Sequence, residues 1–237
     1  MTIKAVLFDL GGTILDFNWK HPAEIYQKVL FSLGISKSFD EAKAAFLKAE
    51  KEAKDINLFS SYGKIDQKEY SDQWGALVLK HLGLAENLEL VRTVQSKWDD
   101  FTNFTIYPEA KDVLLELQQR GLKLGLISNG YEDGLHRLLR DLNLGKSTFD
   151  IVVGIDTVQC MKPHPDIFKY ALRKLKVRPE EALFVGDELE VDYNGAKNVG
   201  IQALLIDRAE KQKQGDLRTI KNLKDVLPLV GDSILEG

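Results

Sequence analysis

The chain has 237 residues, of which 44% are hydrophobic and 29% charged, as in an ordinary globular protein of one large domain or one domain with a smaller one attached. It carries 32 basic and 36 acidic residues, a net charge of −4 without a basic tract, which excludes the electrostatic footprint of a nucleic-acid-binding protein. The single cysteine, Cys160, excludes an intramolecular disulfide and suits a reducing compartment.

The first predicted element is a short apolar run at residues 4–8, which a turn follows directly. Such a run is typical of a strand that is buried on both faces. The run is too short for a signal peptide, and no apolar stretch of the chain approaches the roughly 20 residues of a membrane span. We therefore expect a cytoplasmic protein without a membrane association.

The next region, from about residue 18 to residue 103, contains helical patterns and no convincing buried strand. Helices are predicted at residues 21–33, 39–55, 66–82 and 87–100. Gly34 and Gly83 stand near two of the predicted helix ends, as helix-terminating glycines do. We interpret residues 18–103 as a helical cap domain inserted after the first strand. The alternative interpretation is that these helices simply extend the core.

Beyond residue 103, apolar runs alternate with helical patterns. Strands are predicted at 122–127, 150–153, 182–185 and 202–206, and helices at 109–120, 132–142, 165–176 and 191–199. This alternation predicts an open parallel sheet with helices on both faces. The expected fold class is therefore α/β: a parallel-sheet, Rossmann-like core formed by residues 1–17 and 104–237, with an inserted α-helical cap domain.

Polar residues stand where the predicted strands end. Asp9 follows the first strand, Ser128 the second and Asp187 the fourth, with Asp192 five residues further on and Lys162 in the loop before the fourth strand. Each residue alone is typical of a turn or a helix cap. In an open α/β sheet, however, ligands bind beyond the carboxyl ends of the strands. We therefore expect these groups to converge at one edge of the sheet.

This set of groups is suited to phosphoryl transfer. Asp9 is the predicted nucleophile, which would form an aspartyl phosphate. Ser128 and the backbone of Asn129 would hold phosphate oxygens, and Lys162 would balance the negative charge. Asp187 and Asp192 would hold Mg²⁺, a hard cation that prefers oxygen ligands.

These residues and their order resemble the motifs of the haloacid dehalogenase (HAD) superfamily, in its phosphatase-like subgroup with an inserted helical cap. The matching positions are Asp9 and Thr13 in DLGGT, Ser128 in LISNG, Lys162 in CMKPHPDIF, and Gly186-Asp187 with Asp192 in GDELEVD. The resemblance extends over essentially the whole chain. It implies a HAD-like fold and Mg²⁺-dependent hydrolysis of small phosphorylated metabolites under a cap.

The resemblance also implies site residues. Asp9 and Lys162 would be catalytic, and the phosphate would be bound by Gly12, Thr13, Ser128 and Asn129. The implied metal ligands are Asp9, the backbone carbonyl of Gly11, Asp187 and Asp192. Nothing in the sequence selects among substrates such as glyceraldehyde 3-phosphate and other small sugar phosphates, and no pattern indicates an oligomeric state.

The sequence departs from the family pattern at Gly11. Phosphatases of the family usually read DxDGT, and their second aspartate protonates the leaving alcohol and then activates water. Gly11 cannot move a proton, and a general acid or base typically contributes about 10²–10⁴-fold. The loss matters most for poor leaving groups such as sugar alkoxides. Asp16, Glu52 and Asp55 are candidates for a replacement, Asp16 by its proximity in sequence and the other two as cap residues.

Three functional interpretations remain open at this point. The first is a phosphatase that is slower or is assisted by another group. The second is a 2-haloacid dehalogenase-type hydrolase, a class that also lacks the second aspartate and uses no metal; the GDxxxxD pair argues against it. The third is a weakly active or non-catalytic protein that binds phosphate or metal. In addition, Gly11-Gly12 is consistent with a tight turn that requires a positive φ at either position.

Overall fold

The computed structural model of the chain describes residues 2–17, 21–84, 87–102, 104–144, 147–210 and 217–231. Backbone contacts divide the chain into two compact units. We call Met1–Asp16 with Thr105–Gly237 the sheet unit, and Phe17–Phe104 the helical unit. Residues 18 and 103, the predicted ends of the cap, lie outside the described residues.

The secondary-structure elements are numbered in chain order. The strands are β1 (Ala5–Phe8), β2 (Leu15–Phe17), β3 (Phe104–Ile106), β4 (Lys123–Ile127), β5 (Ile151–Val153), β6 (Ala182–Gly186), β7 (Gln202–Ile206) and β8 (Thr219–Ile220). The α-helices are α1 (Pro22–Ser32), α2 (Phe39–Asp55), α3 (Gln67–His81), α4 (Leu88–Ser96), α5 (Trp98–Phe101), α6 (Ala110–Gln119), α7 (Glu132–Asp141), α8 (Ile155–Val158), α9 (Pro165–Leu175) and α10 (Gly195–Lys197). Short 3₁₀ helices cover Leu58–Ser61, Pro179–Glu181 and Leu223–Leu229, and a π-helical turn covers Leu189–Asn194.

The sheet unit is built on a six-stranded parallel sheet in the order β5-β4-β1-β6-β7-β8. Strand β1 is central, and all four of its residues are buried. Phe8 at its end lies beside Leu126 of β4 and Val185 of β6, so the carboxyl ends of the three strands meet at one edge. The predicted parallel α/β architecture is confirmed.

The apolar core on one face of the sheet contains side chains of β1, β4, β6 and β7 together with those of α9. Phe168 of α9 and Phe184 of β6 are fully buried, and their rings meet edge to face with 5.3 Å between the centroids. Aromatic pairs of this geometry add to the stabilisation from area burial alone. Side chains on both faces of the central strands are buried, and for this reason the strands consist of continuous apolar residues.

The helical unit has its own apolar core. Helix α2 contributes Ala42, Ala45, Ala49 and Ala53, all buried and spaced three or four residues apart, as on one face of a helix. The helix begins with a capping box, in which Ser38 and Glu41 exchange side-chain and backbone hydrogen bonds. Tyr26 and Phe46 are buried in this core, and Trp74 and Trp98 pack against it, as expected for a helix interior, whereas Phe31 is exposed.

Three details of the structure differ from the element predictions. The helix predicted at 87–100 is two helices, α4 and α5, separated at Lys97. In place of the helix predicted at 191–199, the structure has the π-helical turn Leu189–Asn194 followed by the three-residue helix α10, Gly195–Lys197. Strands β2, β3 and β8 are not predicted, because two or three residues are too few to establish a periodicity. Among the described residues, no helix is both long and apolar enough to cross a membrane.

Candidate active site

Asp9 lies at the carboxyl end of the central strand. Its backbone N–H donates to the carbonyl of Val185 at 2.9 Å, which continues the pairing of β1 with β6. Lys162, from the loop between α8 and α9, places its Nζ 2.6 Å from Asp9 Oδ1 and 2.7 Å from Asp192 Oδ1. Lys162 and Asp192 are only 2% and 1% exposed. One buried ammonium group therefore joins two carboxylates that come from different strand ends.

Burial and charge both act on the proton equilibria of this bridge. The pKa of Asp9 is raised to about 6, mainly by burial; the charge of Lys162 opposes this shift and the negative charge of Asp192 adds to it. Burial alone would lower the pKa of Lys162, but the charges of Asp9 and Asp192 outweigh it and raise this pKa. The lysine therefore stays protonated, and Asp9 gives up its proton in the range just below neutral pH.

Asp187 completes a group of three carboxylates. Ligand oxygens of Asp9, Asp187 and Asp192 lie within 4.8 Å of one another; we call these residues the carboxylate triad. Asp187 keeps a solvent-exposed surface, but neighbouring protein atoms remove part of its hydration. That loss of hydration, followed by the charges of Asp9 and Asp192, raises the pKa of Asp187 to about 7. Three carboxylates facing one ammonium group leave an excess of negative charge, which suits a divalent cation.

The π-helical turn fixes the orientation of Asp192. The carbonyl of Glu188 accepts from the N–H groups of Asp192 and Tyr193 at 2.9 and 3.2 Å. The N–H of Glu188 in turn donates to Asp192 Oδ2 at 3.1 Å. A Cβ at Gly186 would overlap the side chain of Asp192, so the glycine allows this carboxylate to lie against the strand end. Single π turns of this kind often occur at functional sites.

The turn after Asp9 lies against the carboxylate triad. Gly12 has a φ of 70°, and a Cβ there would overlap the carboxylate of Asp187. Gly11 is not among the described residues that have a positive φ, and it pairs with Leu15 in an isolated β-bridge. The backbone requirement for glycine thus falls on Gly12, and turn conformation does not explain the glycine at position 11. Thr13 is fully buried, and its Oγ1 has no hydrogen-bond partner among the described residues.

Ser128 and Asn129 follow β4, the strand next to β1. The N–H of Ser128 donates to the carbonyl of Val153 at 3.1 Å, and both Ser128 and Asn129 are partly exposed. The side chain of Asn129 brackets the backbone of Lys162: Oδ1 accepts from the Lys162 N–H at 2.7 Å, and Nδ2 donates to the Lys162 carbonyl at 3.2 Å. From the sequence, only the backbone of Asn129 was expected to act. A contact across 33 residues has no local sequence pattern from which to predict it.

The three candidates for a replacement acid lie in different surroundings. Glu52 of α2 accepts from Lys80 Nζ at 2.7 Å and lies 2.8 Å from His81 Nε2, and the bond from Lys80 is the main cause that lowers the pKa of Glu52. This pairing opposes its use as a proton donor. Asp16 accepts a hydrogen bond from the Tyr107 hydroxyl, and Asp55 is an exposed residue at the end of α2.

Comparisons with known proteins find relatives that are named as phosphatases. A glyceraldehyde 3-phosphate phosphatase of Pyrococcus furiosus is 31% identical over 85% of this chain and 80% of its own. The pyrophosphatase PpaX of Oceanobacillus iheyensis is 28% identical over 98% of this chain and 99% of its own.

Solved structures share the fold. The structure of a HAD phosphatase from Thermococcus onnurineus matches with a TM-score of 0.63 at 31% identity, covering 97% of this chain and 99% of that one. A 2-haloacid dehalogenase from Pseudomonas syringae matches with a TM-score of 0.72 at 23% identity, over 96% and 98% of the two chains, a likeness that shows the fold alone. The profile of the haloacid dehalogenase-like hydrolase family matches residues 3–200. The chain therefore belongs to the haloacid dehalogenase-like hydrolase family.

Proposed function

We propose that this hydrolase is a Mg²⁺-dependent phosphatase of small phosphorylated metabolites that works through an aspartyl phosphate at Asp9. The observation that carries the proposal is the buried bridge of Asp9, Lys162 and Asp192, with Asp187 within ligand distance at the same sheet edge. The relatives named as phosphatases support it.

The carboxylate triad fits a magnesium ion. Asp9, Asp187 and Asp192 supply three carboxylates, and the carbonyl of Gly11 is the fourth ligand in the proposal. The bound ion would supply positive charge against the oxygens of the phosphoryl group. The residues around it support this assignment: burial, together with neighbouring negative charges, raises the pKa values of Asp9 and Asp187, and a cation would favour their charged forms.

The proposed reaction has two displacements at phosphorus. In the first, a carboxylate oxygen of Asp9 forms a bond to phosphorus while the bond to the leaving oxygen breaks, and the leaving group takes the electron pair. In the second, a water oxygen attacks phosphorus, the bond to Asp9 breaks with its electron pair returning to the carboxylate, and phosphate leaves as dihydrogen phosphate, which carries both protons of the water. Lys162 stays protonated throughout and balances the charge of Asp9. Ser128 and the Asn129 backbone hold phosphate oxygens, as do Gly12 and Thr13.

Thr13 takes its part in this proposal from the motif that it occupies. Its hydroxyl is fully buried and has no hydrogen-bond partner among the described residues, at a free-energy cost of about 1–3 kcal/mol. We further propose that the helical unit is the cap domain, with residues 18–103 selecting the substrate.

Gly11 restricts the proposed chemistry. Without a carboxyl group at this position, nothing in the turn protonates a departing alkoxide. Leaving groups of low basicity, such as those of acyl phosphates, aryl phosphates and anhydrides, need no such proton. Pyrophosphate, the substrate in one relative's name, is an anhydride of this kind. Gly11 is also the observation that favours the second candidate function, a protein that binds phosphate or metal with little turnover.

A dehalogenase is the least supported alternative. Its reaction attacks carbon and would gain nothing from three carboxylates within 4.8 Å of one another. We infer that the triad serves a cation, and halide release from 2-chloropropionate in the presence of a chelator would contradict this inference.

Capture of the covalent intermediate tests the proposed function. The protein is mixed with Mg²⁺ and acetyl phosphate, quenched in acid, digested and weighed by mass spectrometry. We expect a phosphoryl group on the peptide that contains Asp9, and none in Asp9→Asn or with a chelator. Tight phosphate binding by calorimetry without phosphorylation or phosphate release would instead support the non-catalytic alternative.

A further inference from the structure

Arg208, two residues after the end of β7, reaches the turn that follows the proposed nucleophile. Its Nη2 donates to the carbonyl of Thr13 at 2.8 Å, and its Nε makes a long contact to the carbonyl of Gly12 at 3.4 Å. Its Nη1 donates to Glu109 Oε1 at 2.7 Å. One guanidinium group therefore contacts two successive carbonyls of the turn and is itself held by a carboxylate.

A second contact fixes the plane of this guanidinium group. Its central carbon lies 3.4 Å from the centroid of the Tyr107 ring. The hydroxyl of the same tyrosine hydrogen-bonds Asp16, three residues beyond Thr13. Arg208 is 20% exposed at its side chain and Glu109 13% exposed, so solvent competes little for the ion pair. Stacking on the ring and forked hydrogen bonding together are properties of arginine that lysine lacks.

These contacts determine how the turn is oriented. Because a trans peptide is planar, fixing the carbonyls of Gly12 and Thr13 directs the N–H groups of Thr13 and Ile14 away from Arg208. The N–H of Ile14 is bound to the carbonyl of Leu10 at 2.9 Å. The backbone of Gly12 in turn lies against the carboxylate of Asp187, since a Cβ there would overlap it. A displacement of the turn would therefore change the packing against Asp187.

We propose that Arg208 is a positioning residue of the active site: it holds the Gly12–Thr13 turn against Asp187 and so keeps the carboxylate triad in the arrangement that binds the divalent cation. The cation part of this proposal rests on the proposed function. No sequence pattern singles out Arg208, because its partners are about 100 and 195 residues away along the chain.

The test compares Arg208→Gln and Arg208→Lys with a matched control, Arg120→Gln. Arg120 is bound in the same way: it donates to two backbone carbonyls, those of Leu227 and Val230, and to the carboxylate of Glu116, and its side chain is 23% exposed. It touches neither the turn nor the triad. Both arginines should thus contribute to stability, whereas only Arg208 should act on the site.

Two readouts are measured on the full chain. Calorimetric titration with Mg²⁺ should give a Kd that is about 10-fold or more weaker in both Arg208 variants, the effect typical of residues that orient metal ligands. Lysine should not restore binding, because it keeps the charge and loses the fork. Hydrogen exchange, followed on the peptide that contains residues 9–16, should accelerate in both Arg208 variants. The control should leave both readouts at the wild-type value.

The two readouts separate the proposals. An unchanged exchange rate at residues 9–16 in Arg208→Gln would overturn the positioning role, whatever the wild-type protein binds. Accelerated exchange with an unchanged Mg²⁺ affinity would also overturn it, since the turn would then move without consequence for the triad. Full rescue of both readouts by Arg208→Lys would overturn the role of the forked hydrogen bonds, because the positive charge alone would then be sufficient. A wild-type protein that binds no Mg²⁺ would refute the proposed function and the cation part, and exchange alone would then decide whether Arg208 holds the turn.

Discussion

The ammonium group of Lys162 lies between the carboxylates of Asp9 and Asp192, and solvent reaches very little of any of the three side chains. Removing two carboxylates from water is costly unless a cation and hydrogen bonds compensate them. The bracket that Asn129 makes on the Lys162 backbone holds this cation in place. At the scale of single residues, we therefore expect Lys162 to compensate the two buried carboxylates and, in the proposed function, to favour Asp9 as a carboxylate.

Replacing this lysine tests that double role. Lys162→Met keeps the volume and leaves Asp9 and Asp192 buried without an opposing charge, so we expect a loss of about 3–5 kcal/mol in the free energy of unfolding. The pKa of Asp9 should rise further, because the charge that opposes burial is gone. Urea unfolding at neutral pH measures the first effect. The double variant Lys162→Met/Asp192→Asn should recover part of the loss, and a single variant as stable as the wild type would contradict the role.

The raised pKa of Asp187 predicts a dependence of stability on pH in the metal-free protein. The native pKa of about 7 lies above the unfolded value of 3.8, so the folded chain binds this proton more tightly. Its contribution to stability is complete below the unfolded value and is lost as the pH rises through about 7. Asp187→Asn should therefore raise the Tm at about pH 8 in the presence of a chelator and leave it unchanged at about pH 4. A lower Tm for the variant at the higher pH would contradict the raised pKa of Asp187.

At the scale of elements, the turn between β1 and β2 supports the site through its backbone. Gly12 combines a left-handed φ of 70° with a close approach to Asp187. The Arg208 contacts and the bond from the Gly12 N–H to the Leu15 carbonyl at 2.7 Å keep the turn closed. Neither the conformation nor the space at Gly12 admits a side chain.

Gly12→Ala tests the turn against a glycine of the same sheet unit. Gly200 has a φ of 87°, and the nearest atom to a Cβ there, that of Pro179, is 3.3 Å away. Gly200→Ala should cost about 1–3 kcal/mol of backbone strain and leave the Mg²⁺-induced rise in Tm intact. Gly12→Ala should cost more and also abolish that rise, because it displaces Asp187. Equal responses of the two variants to Mg²⁺ would contradict the proposed contact between turn and triad.

The element predictions succeed where burial imposes a clear pattern. The runs at 122–127, 182–185 and 202–206 correspond to β4, β6 and β7 because strands covered on both faces consist of apolar residues. The π-helical turn at Leu189–Asn194 could not be predicted from a local pattern. Its hydrogen bonds to Glu188 depend on where Asp192 lies in the site. Local patterns thus predict the scaffold of the site and miss its fine backbone geometry.

At the scale of the whole molecule, the α/β fold is predictable from the alternation of strands and helices, and the family from the order of its motifs. The carboxyl ends of the strands meet at one edge of the sheet. This arrangement explains why four residues of the site lie together: Asp9, Lys162, Asp187 and Asp192. The side-chain contacts of Asn129 and the whole Arg208 arrangement do not follow from the sequence. They join segments far apart in the chain, and only the tertiary structure brings them together.

In the proposed function, Gly11 limits the substrates that the enzyme can hydrolyse. The proposed nucleophile and its counter-charge are in place, whereas the carboxyl group that usually serves the leaving oxygen is missing from the turn. We therefore expect leaving-group basicity to control the rate: acetyl phosphate should be hydrolysed at least about 10²-fold faster than glyceraldehyde 3-phosphate, the span that a missing general acid accounts for. Comparable rates for the two substrates would mean that another group of the protein supplies the proton.

The most direct measurement of the central claim is phosphate release from acetyl phosphate and from glyceraldehyde 3-phosphate, side by side, with and without Mg²⁺, by the wild type and by Asp9→Asn. We predict release by the wild type that requires Mg²⁺, is faster from acetyl phosphate, and falls to background in the variant. Release that continues in Asp9→Asn, or that survives a chelator, would contradict a Mg²⁺-dependent phosphatase working through Asp9.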